Sequence, residues 1–371
     1  MKFCKKCVMP DTRPGILFDN EGVCQACRAE EQKDSTNWDE RFKELEALCD
    51  RHRGCNGDGF DCLIAVSGGK DSQTQVHYMK EVLGMNPLLV SVEDNFPMTN
   101  AGRHNLLNIS ESFGCHIISL KPNVQAQKHL MRKTFEQDGR PTWFIDRLIY
   151  TYPIHIAIKF NIKLVVYGEN VSYEYGGNQR VETPSAAEQF KNGVAVDIPW
   201  SELVDDVVSI KDLYLCQYPE KEAEEAKLEP IYLSYFIRWN SYANYVLAKK
   251  LGFHDLSHEW TREHTFENFD QVDSRAYLIH PWLKYPKFGH ATATDYASKF
   301  IRYGLISREE GVELVKKYDS HVDTLAVRDF IKFTGYTERR FWEIIDKLYN
   351  PELFFKNRFG EWELKNPVWK Q

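Results

Sequence analysis

The segment Ser67–Ser72, with the sequence Ser-Gly-Gly-Lys-Asp-Ser, has the residue types and spacing of a site for an anionic group. It follows the apolar run 63–66, which predicts a buried strand, and it precedes apolar residues at helical spacing. The two glycines permit a sharp turn and remove Cβ atoms that would block a bound group, and Ser72 is predicted to cap the helix. The unpaired N–H groups of the first helical turn, at the positive end of the helix dipole, would then suit a phosphate or pyrophosphate.

This loop is not a Walker P-loop, because the spacing G-x-x-x-x-G-K-[ST] does not occur in the chain. Instead, it resembles the PP-loop of the ATP pyrophosphatase superfamily, whose members cleave ATP between the α and β phosphates. The resemblance implies that the substrate is adenylated and that pyrophosphate leaves. The alternative is an ordinary glycine turn before a helix.

Two C-x-x-C pairs near the start of the chain have the spacing of a structural zinc site. The pairs are Cys4 with Cys7 and Cys24 with Cys27, separated by residues 8–23. Four thiolates saturate a tetrahedral zinc ion, so the predicted role is structural, in a ribbon too short to have an adequate core of its own. Disulfides, a redox pair and an iron–sulfur cluster are the competing readings.

Strand and helix patterns alternate between residue 60 and about residue 200, which predicts an α/β fold with a parallel sheet. The candidate strands are 62–66, 88–92, 115–120 and 163–167. Ligands of such sheets bind beyond the carboxyl ends of the strands. The Ser67–Ser72 loop, the segment containing Asp94 and the polar loop 168–177 are therefore expected to converge on one crevice.

After about residue 200 the strand patterns fade and helical patterns dominate. Helices are predicted over 201–213 and 239–251, a charged linker or helix surface over 219–229, and a ligand-facing loop over 258–270. The predicted organisation is a Cys4 zinc ribbon, a helical linker, a PP-loop ATP pyrophosphatase (HUP-like) domain and a mainly helical substrate-binding region. These units are assigned to residues 1–32, 33–59, 60–215 and 216–371.

Composition limits the classes of partner. The formal net charge of −7 argues against nucleic acid as the main partner, because binding to phosphates requires a basic face. No apolar run approaches the length of about 18 residues that a membrane span needs, and no signal peptide is evident. We therefore expect a cytoplasmic protein that does not bind a membrane.

Taken together, these motifs resemble the N-acetyl sugar amidotransferases of bacterial surface-polysaccharide and flagellar-glycan biosynthesis, the WbpG/PseA-like family. The resemblance covers most of the chain and departs from the family pattern at His290, where an arginine is expected. It rests on the four ribbon cysteines, Ser67–Ser72, Gly168-Glu169-Asn170, residues 173–177, Thr261-Arg262-Glu263, Lys287-Phe288-Gly289, Ala291-Thr292, Asp295, Ile301-Arg302 and Arg308-Glu309-Glu310.

The resemblance implies that an N-acetyl group on an acidic or nucleotide-linked sugar becomes an acetamidino group, through an O-adenylyl intermediate that ammonia attacks. The implied cofactors are ATP, Mg²⁺ and structural zinc. Lys70 and Asp71 would be catalytic, with Lys70 facing developing negative charge and Asp71 facing magnesium. The implied ATP contacts are Ser67, Gly68, Gly69, Lys70, Asp71, Ser72, Asp94 and Gly168, and the candidate sugar or carboxylate contacts are Glu169, Asn170, Tyr173, Tyr175, Arg262, Glu263, His264 and Lys287.

No Cys-His-Glu glutaminase signature is visible, so the resemblance implies a HisH-like glutaminase partner and a HisF-like subunit that supplies ammonia. Two other classes of function stay open. One is a tRNA-modifying enzyme that uses the same loop for adenylation or thiolation. The other is a zinc-ribbon adaptor that retains an inactive nucleotide fold.

Overall fold

A parallel five-stranded sheet lies at the centre of the chain, in the order β3-β2-β1-β4-β5. The computed structural model describes residues 1–177, 182–189 and 196–371. Within them, every pairing of neighbouring strands in this sheet is parallel. The strands are β1 (Cys62–Ala65), β2 (Pro87–Val92), β3 (His116–Leu120), β4 (Leu164–Tyr167) and β5 (Glu229–Tyr232). The predicted α/β class with a parallel sheet is confirmed.

Helices cover both faces of the sheet and form most of the chain beyond it. Before β5 they are α1 (Gln25–Lys33), α2 (Trp38–His52), α3 (Lys70–Val76), α4 (Asn100–Phe113), α5 (Val124–Asp138), α6 (Trp143–Lys159), α7 (Val171–Tyr175), α8 (Trp200–Leu203), α9 (Ile210–Leu213) and α10 (Glu220–Glu225). After β5 they are α11 (Ser241–Lys250), α12 (Ile279–Trp282), α13 (Lys284–Phe288), α14 (Thr292–Arg302), α15 (Arg308–Tyr318), α16 (Thr324–Thr334) and α17 (Glu338–Leu348). A two-stranded antiparallel sheet, β6 (Phe354–Lys356) with β7 (Trp362–Leu364), follows.

The central strands are apolar because helices bury both of their faces. Leu63 and Ile64 of β1 are both fully buried, yet their side chains join different apolar clusters on opposite sides of the sheet. One cluster packs against α2, α3 and α4, and the other against α6. Continuous apolar runs of this kind are typical of parallel strands covered on two faces.

Several local predictions need correction. Residues 201–213 do not form one helix, because the two short helices α8 and α9 occupy this stretch. The strand β5 was not predicted, since Glu229–Tyr232 follows a charged segment and contains only a short apolar run. Its pairing with β4 carries the sheet beyond the boundary predicted at residue 215. The side chains of Ser307 and Thr337 cap α15 and α17, respectively.

The N-terminal ribbon packs against the loop that follows β4. Arg13 donates from Nε to the carbonyl of Gly176 over 2.9 Å, and Gln25 donates from Nε2 to the carbonyl of Gly177 over 2.9 Å. Lys33 at the end of α1 reaches Glu174 in a buried ion pair. The ribbon therefore supports one of the loops at the edge of the sheet.

Among the described helices, we find none that combines the length and the apolar character needed to cross a membrane.

Candidate functional site

A cavity of about 370 Å³ opens at the carboxyl ends of β1, β2 and β4. It brings together the three segments that the sequence predicted would converge. A fourth segment, residues 270–274 from the C-terminal half of the chain, closes the opposite side. The polar residues and glycines that line it include Ser67, Gly69, Lys70, Asp71, Ser72, Asp94, Gly168, Glu169, Asp270, Asp273 and Tyr277.

The Ser67–Ser72 loop turns into the cavity without the cap predicted for it. The N-cap of α3 is Gly69, and the Ser72 hydroxyl instead accepts a hydrogen bond from the Ser67 backbone N–H over 3.0 Å. Gly68 has φ of +85°, and a Cβ atom there would lie 2.9 Å from the backbone nitrogen of Leu106 in α4. Only glycine therefore allows the loop to lie this close to α4.

Gly168, which lines the cavity, also lies at a close approach between the backbone and neighbouring side chains. A Cβ at this position would lie 3.0 Å from Nε2 of Gln75 and 3.1 Å from the indole of Trp239. The backbone after β4 is therefore pressed against α3 and the buried Trp239 side chain. This contact fixes where the following residue, Glu169, enters the cavity.

Lys70 is almost completely buried and forms ion pairs with two carboxylates, one adjacent in sequence and one from the C-terminal half of the chain. Its Nζ lies 2.7 Å from Oδ2 of Asp71 and 3.1 Å from Oδ1 of Asp270. Burial acts to lower the pKa of Lys70, but Asp270 and Asp71 raise it above the ordinary lysine value. Asn244 of α11 donates from Nδ2 to the other Asp71 oxygen over 2.8 Å. The ammonium is thus charged and held in place at the start of α3.

Three further carboxyl groups in the cavity have raised pKa values. Burial raises the pKa of Asp94 to about 6. Burial and the nearby Asp71 raise that of Glu169 to about 7, and burial with Asp94 and Asp270 raises that of Asp273 to about 7. Perturbed carboxyl groups gathered in a crevice are typical of functional sites. The excess of carboxyl groups suits a site that receives a cation together with a phosphate-bearing ligand.

Lys299 of α14 provides a second cation near this cluster, although it does not line the cavity. Its Nζ lies 4.0 Å from the ring centroid of Tyr175 and 4.7 Å from that of Tyr296. Burial lowers the pKa of Lys299, while Asp270 acts in the opposite direction. Neither Lys299 nor Asn244 belongs to a recognisable motif, which is why both escaped the sequence analysis.

The structure places most of the loop after β4 beside the cavity rather than in its lining. Asn170 caps α7 by accepting from the Tyr173 backbone N–H over 3.2 Å. The Tyr173 hydroxyl donates to Gln32 of α1 over 2.9 Å, and Tyr175 packs under Lys299. Of the candidate sugar contacts in this loop, Glu169 is therefore the one that lines the cavity.

The candidate contacts from the C-terminal half are also held by other protein groups. The Arg262 guanidinium donates to Glu267 over 2.6 Å and to the carbonyl of Gln271 over 3.0 Å, so it shapes the segment that lines the cavity. His264 forms a buried pair with Asp323. Two further candidates are placed similarly: Glu263 accepts a hydrogen bond from the hydroxyl of Thr324, and Lys287 donates to the carbonyl of Gly139.

The four ribbon cysteines form a compact metal-binding group. Their sulfur atoms all lie within 4.8 Å of one another, and all four residues are buried. The Sγ atoms of Cys4 and Cys27 are 3.9 Å apart, and those of Cys7 and Cys24 are 3.7 Å apart. Zinc–sulfur bonds of about 2.3 Å in a tetrahedron require sulfur separations of about 3.8 Å, so the group fits a zinc ion.

The buried surroundings of this centre also fit a metal. The backbone N–H of Cys24 donates to the Cys4 sulfur over 3.2 Å. Arg302 of α14 lies close enough to Cys7 and Cys27 to interact with them electrostatically. Its Nη1 is buried and has no hydrogen-bond acceptor among the residues that the structure describes. A guanidinium there would offset the net negative charge of a zinc ion bound by four thiolates.

A comparison with known protein families finds a match in the C-terminal part of the chain. Residues 263–368 match the family model described as the C-terminal domain of LPS biosynthesis protein WbpG-like proteins. Residues 263–368 are thus similar to a WbpG-like C-terminal domain. The predicted resemblance to the WbpG-like family is confirmed over this segment.

The WbpG-like domain contributes directly to the site. It supplies Asp270, the second partner of Lys70, and the rest of the segment that closes the cavity. It also supplies Lys299 and Arg302, which lie beside the carboxyl cluster and beside the ribbon cysteines respectively.

Two other comparisons cover about half of the chain. The uncharacterized protein MJ1599 of Methanocaldococcus jannaschii is 23% identical over 192 residues, which span 52% of this chain and 64% of that protein. The structure of NMN synthetase from Francisella tularensis aligns at a TM-score of 0.27 and 13% identity, over 52% of this chain and 96% of that chain. At that TM-score we draw no argument from the alignment.

Proposed function

We propose that this protein is an ATP-dependent amidotransferase that converts a sugar N-acetyl group into an acetamidino group for the biosynthesis of a bacterial surface polysaccharide or flagellar glycan. The proposal rests on one observation: two distant parts of the chain line the same cavity. The phosphate-type loop Ser67–Ser72 forms one side, and the WbpG-like domain contributes Asp270 and Asp273 to the other.

In the proposed first step, the amide oxygen of the N-acetyl group attacks the α-phosphorus of ATP. The bond between that phosphorus and the bridging oxygen breaks, and pyrophosphate leaves with the electron pair. Lys70 would face the negative charge that develops on the departing group, and the first-turn N–H groups of α3 would bind its oxygens. Such transfers depend mainly on positioning and on charge neutralisation.

Magnesium fits this site as an ion shared with the nucleotide. The described carboxylates of the cavity do not form a ready-made group of three around one point. Magnesium does not require one, because it commonly uses one or two carboxylates together with phosphate oxygens and water. Asp71 and Asp270 are the proposed ligands, since both already converge on Lys70.

In the second step, ammonia adds to the carbon that bears the O-adenylyl group, a proton leaves, and the C–O bond breaks so that AMP departs and the amidinium group forms. We propose that a partner glutaminase with a HisF-like subunit provides the ammonia. The buried cysteines outside the ribbon support an external source. Burial raises the pKa of Cys62, Cys115 and Cys216, and a thiol with a raised pKa is a poor nucleophile near neutral pH.

The test is to incubate the purified protein with ATP, magnesium, ammonium chloride and a panel of free and nucleotide-linked N-acetyl sugars, with and without a carboxylate. The expected result is AMP and pyrophosphate that form only with an accepted sugar. The sugar itself should lose about one mass unit, as oxygen is replaced by NH. Sugar-independent ATP cleavage, or salt-sensitive binding of tRNA that stimulates AMP formation, would favour the RNA-modifying alternative instead.

A further inference from the structure

A chain of four side chains leads from the cavity towards the surface, and nothing in the proposed ATP chemistry uses it. Tyr277 lines the cavity, and its hydroxyl donates to Oδ1 of Asp146 over 3.3 Å. The other carboxyl oxygen of Asp146 lies 2.6 Å from the Thr142 hydroxyl. That hydroxyl lies 2.7 Å from Nδ1 of His280.

The two middle side chains of this series, Asp146 and Thr142, are buried, and the last residue, His280, is partly exposed. Asp146 is 3% exposed and Thr142 is 1% exposed. His280 in α12 is only half-buried as a residue. Buried polar groups in such a chain must satisfy one another, because water is not available to them.

The Thr142 hydroxyl has one proton but two close partners that can both accept. It can donate to Asp146 or to His280, but not to both, so the other partner must supply a proton. In the first state, Asp146 is ionised, Thr142 donates to it, and His280 donates to Thr142 from Nδ1–H. In the second state, Asp146 is protonated and donates to Thr142, and Thr142 donates to the unprotonated Nδ1.

The geometry points to a proton relay in which Tyr277, Asp146, Thr142 and His280 carry a proton from the cavity to the surface. Starting from the second state, Tyr277 passes its hydroxyl proton to Oδ1 of Asp146 and is reprotonated from the cavity. The proton on Oδ2 then moves to Thr142, and the Thr142 proton moves to Nδ1 of His280. The imidazolium releases its Nε2 proton to solvent, and each oxygen keeps its number of bonds.

The ionisation behaviour of Asp146 and His280 agrees with this route. Burial raises the pKa of Asp146 to about 7, so both states are populated near neutrality. Burial and neighbouring cations lower the pKa of His280 to about 3, so the ring accepts a proton only transiently. The titratable or charged groups that face the chain from adjacent elements are Asp94, Tyr150, Arg140, Lys284 and Lys287.

The relay would remove a proton that the amidotransferase step produces, and this part of the inference rests on the proposed function. Ammonia adds to the carbon that bears the O-adenylyl group and brings three protons. The amidinium product keeps two of them, so one proton must be removed when AMP leaves. The described side chains that line the cavity include no histidine, so no imidazole there is ready to accept that proton. The route through Tyr277 would carry it out.

Nitrogen NMR of the holoprotein with isotope-labelled histidine tests the relay without any substrate. The two states hold His280 in different tautomers. As the pH falls through about 7, the proton on the His280 ring should therefore move from Nδ1 to Nε2. The His280→Gln spectrum assigns the signal, and His155, which bonds to the carbonyl of Gln217 instead, is the control ring.

Thr142→Val should abolish this tautomer change, while Thr142→Ser should retain it. Asp146→Asn should leave the His280 ring independent of pH and supplies the test if Thr142→Val does not fold. A ring that keeps one tautomer across the titration in the wild-type protein would overturn the relay. A tautomer change that persists in Thr142→Val would overturn it as well.

An activity measurement then separates the relay from the proposed function. With ammonium chloride and a sugar that supports pyrophosphate release, Thr142→Val should lower the ratio of amidine formed to pyrophosphate released. The expected decrease is about 100-fold, the lower end of the range for a positioned proton acceptor. An unchanged ratio would refute the catalytic use of the relay. Absence of sugar-dependent pyrophosphate release in the wild-type protein would instead refute the proposed function.

Discussion

Replacing Lys33 with methionine tests whether the ribbon supports the loop after β4. The Lys33 ammonium lies 2.5 Å from Oε2 of Glu174, 3.0 Å from Glu30 and 2.9 Å from the carbonyl of Trp239. The side chains of Lys33 and Glu174 are each 3% exposed. Burial acts to lower the pKa of Lys33, but the carboxylates of Glu174 and Glu30 raise it above the ordinary value.

The expected cost is large because the change leaves one carboxylate buried and unpaired. Removing one partner of a buried ion pair costs about 3–5 kcal/mol, so Lys33→Met should lower the free energy of unfolding by that amount. Glu174→Gln should cost less, about 1–2 kcal/mol, because Lys33 keeps Glu30 and the Trp239 carbonyl. The double variant should be more stable than Lys33→Met alone.

Urea unfolding of the wild type, the two single variants and the double variant measures these differences. Hydrogen exchange over residues 169–177 shows whether the loss is local, and Lys33→Met should increase exchange there. Two results would refute the reasoning. One is a loss below about 1 kcal/mol for Lys33→Met, and the other is a double variant as unstable as the sum of the two single variants.

Three further predictions concern the cavity and the metal centre. Gly68→Ala should cost at least about 2 kcal/mol in urea unfolding, since the new Cβ would meet the backbone of α4. Gly304→Ala, with φ of +70° and open space around the added atom, is the matched control, and an equal loss would contradict the packing argument. Cys24→Ser should reduce the bound metal measured by mass spectrometry, and a wild-type protein with neither zinc nor iron would remove the metal centre. Burial raises the folded-state pKa of Glu169 to about 7, above the ordinary 4.5, so its ionisation makes the folded state less stable as the pH rises between those values. Glu169→Gln should therefore be more stable than wild type by about 3 kcal/mol at pH 8 and equal to it below about pH 4.5, and parallel stability profiles would count against this explanation.

The parts of the fold that follow from local pattern were predictable from the sequence. The four predicted strands, β1 to β4, are largely apolar runs bounded by turns, and the ribbon is defined by cysteine spacing alone. The convergence of Ser67–Ser72, Asp94 and Glu169 on one cavity follows from the rule that the carboxyl ends of parallel strands share an edge.

The remainder depends on contacts between distant segments. Asp270 reaches Lys70 across 200 positions of sequence, and no spacing rule indicates such a pair. Arg262 looked like an anion clamp in isolation, but its partners are the carbonyls and carboxylate of its own segment. Thr142 and His280 carried no motif, and only the folded chain shows that they share a hydrogen bond.

The fate of the amide oxygen provides the most direct test of the central claim, that this cavity adenylates an N-acetyl group. An N-acetyl sugar labelled with a heavy oxygen isotope in its acetyl carbonyl would be turned over with unlabelled ATP and ammonium chloride, and the AMP analysed by mass spectrometry. We predict that the label appears in the phosphate of AMP. Unlabelled AMP, with the heavy oxygen kept in the sugar or released to water, would contradict the account.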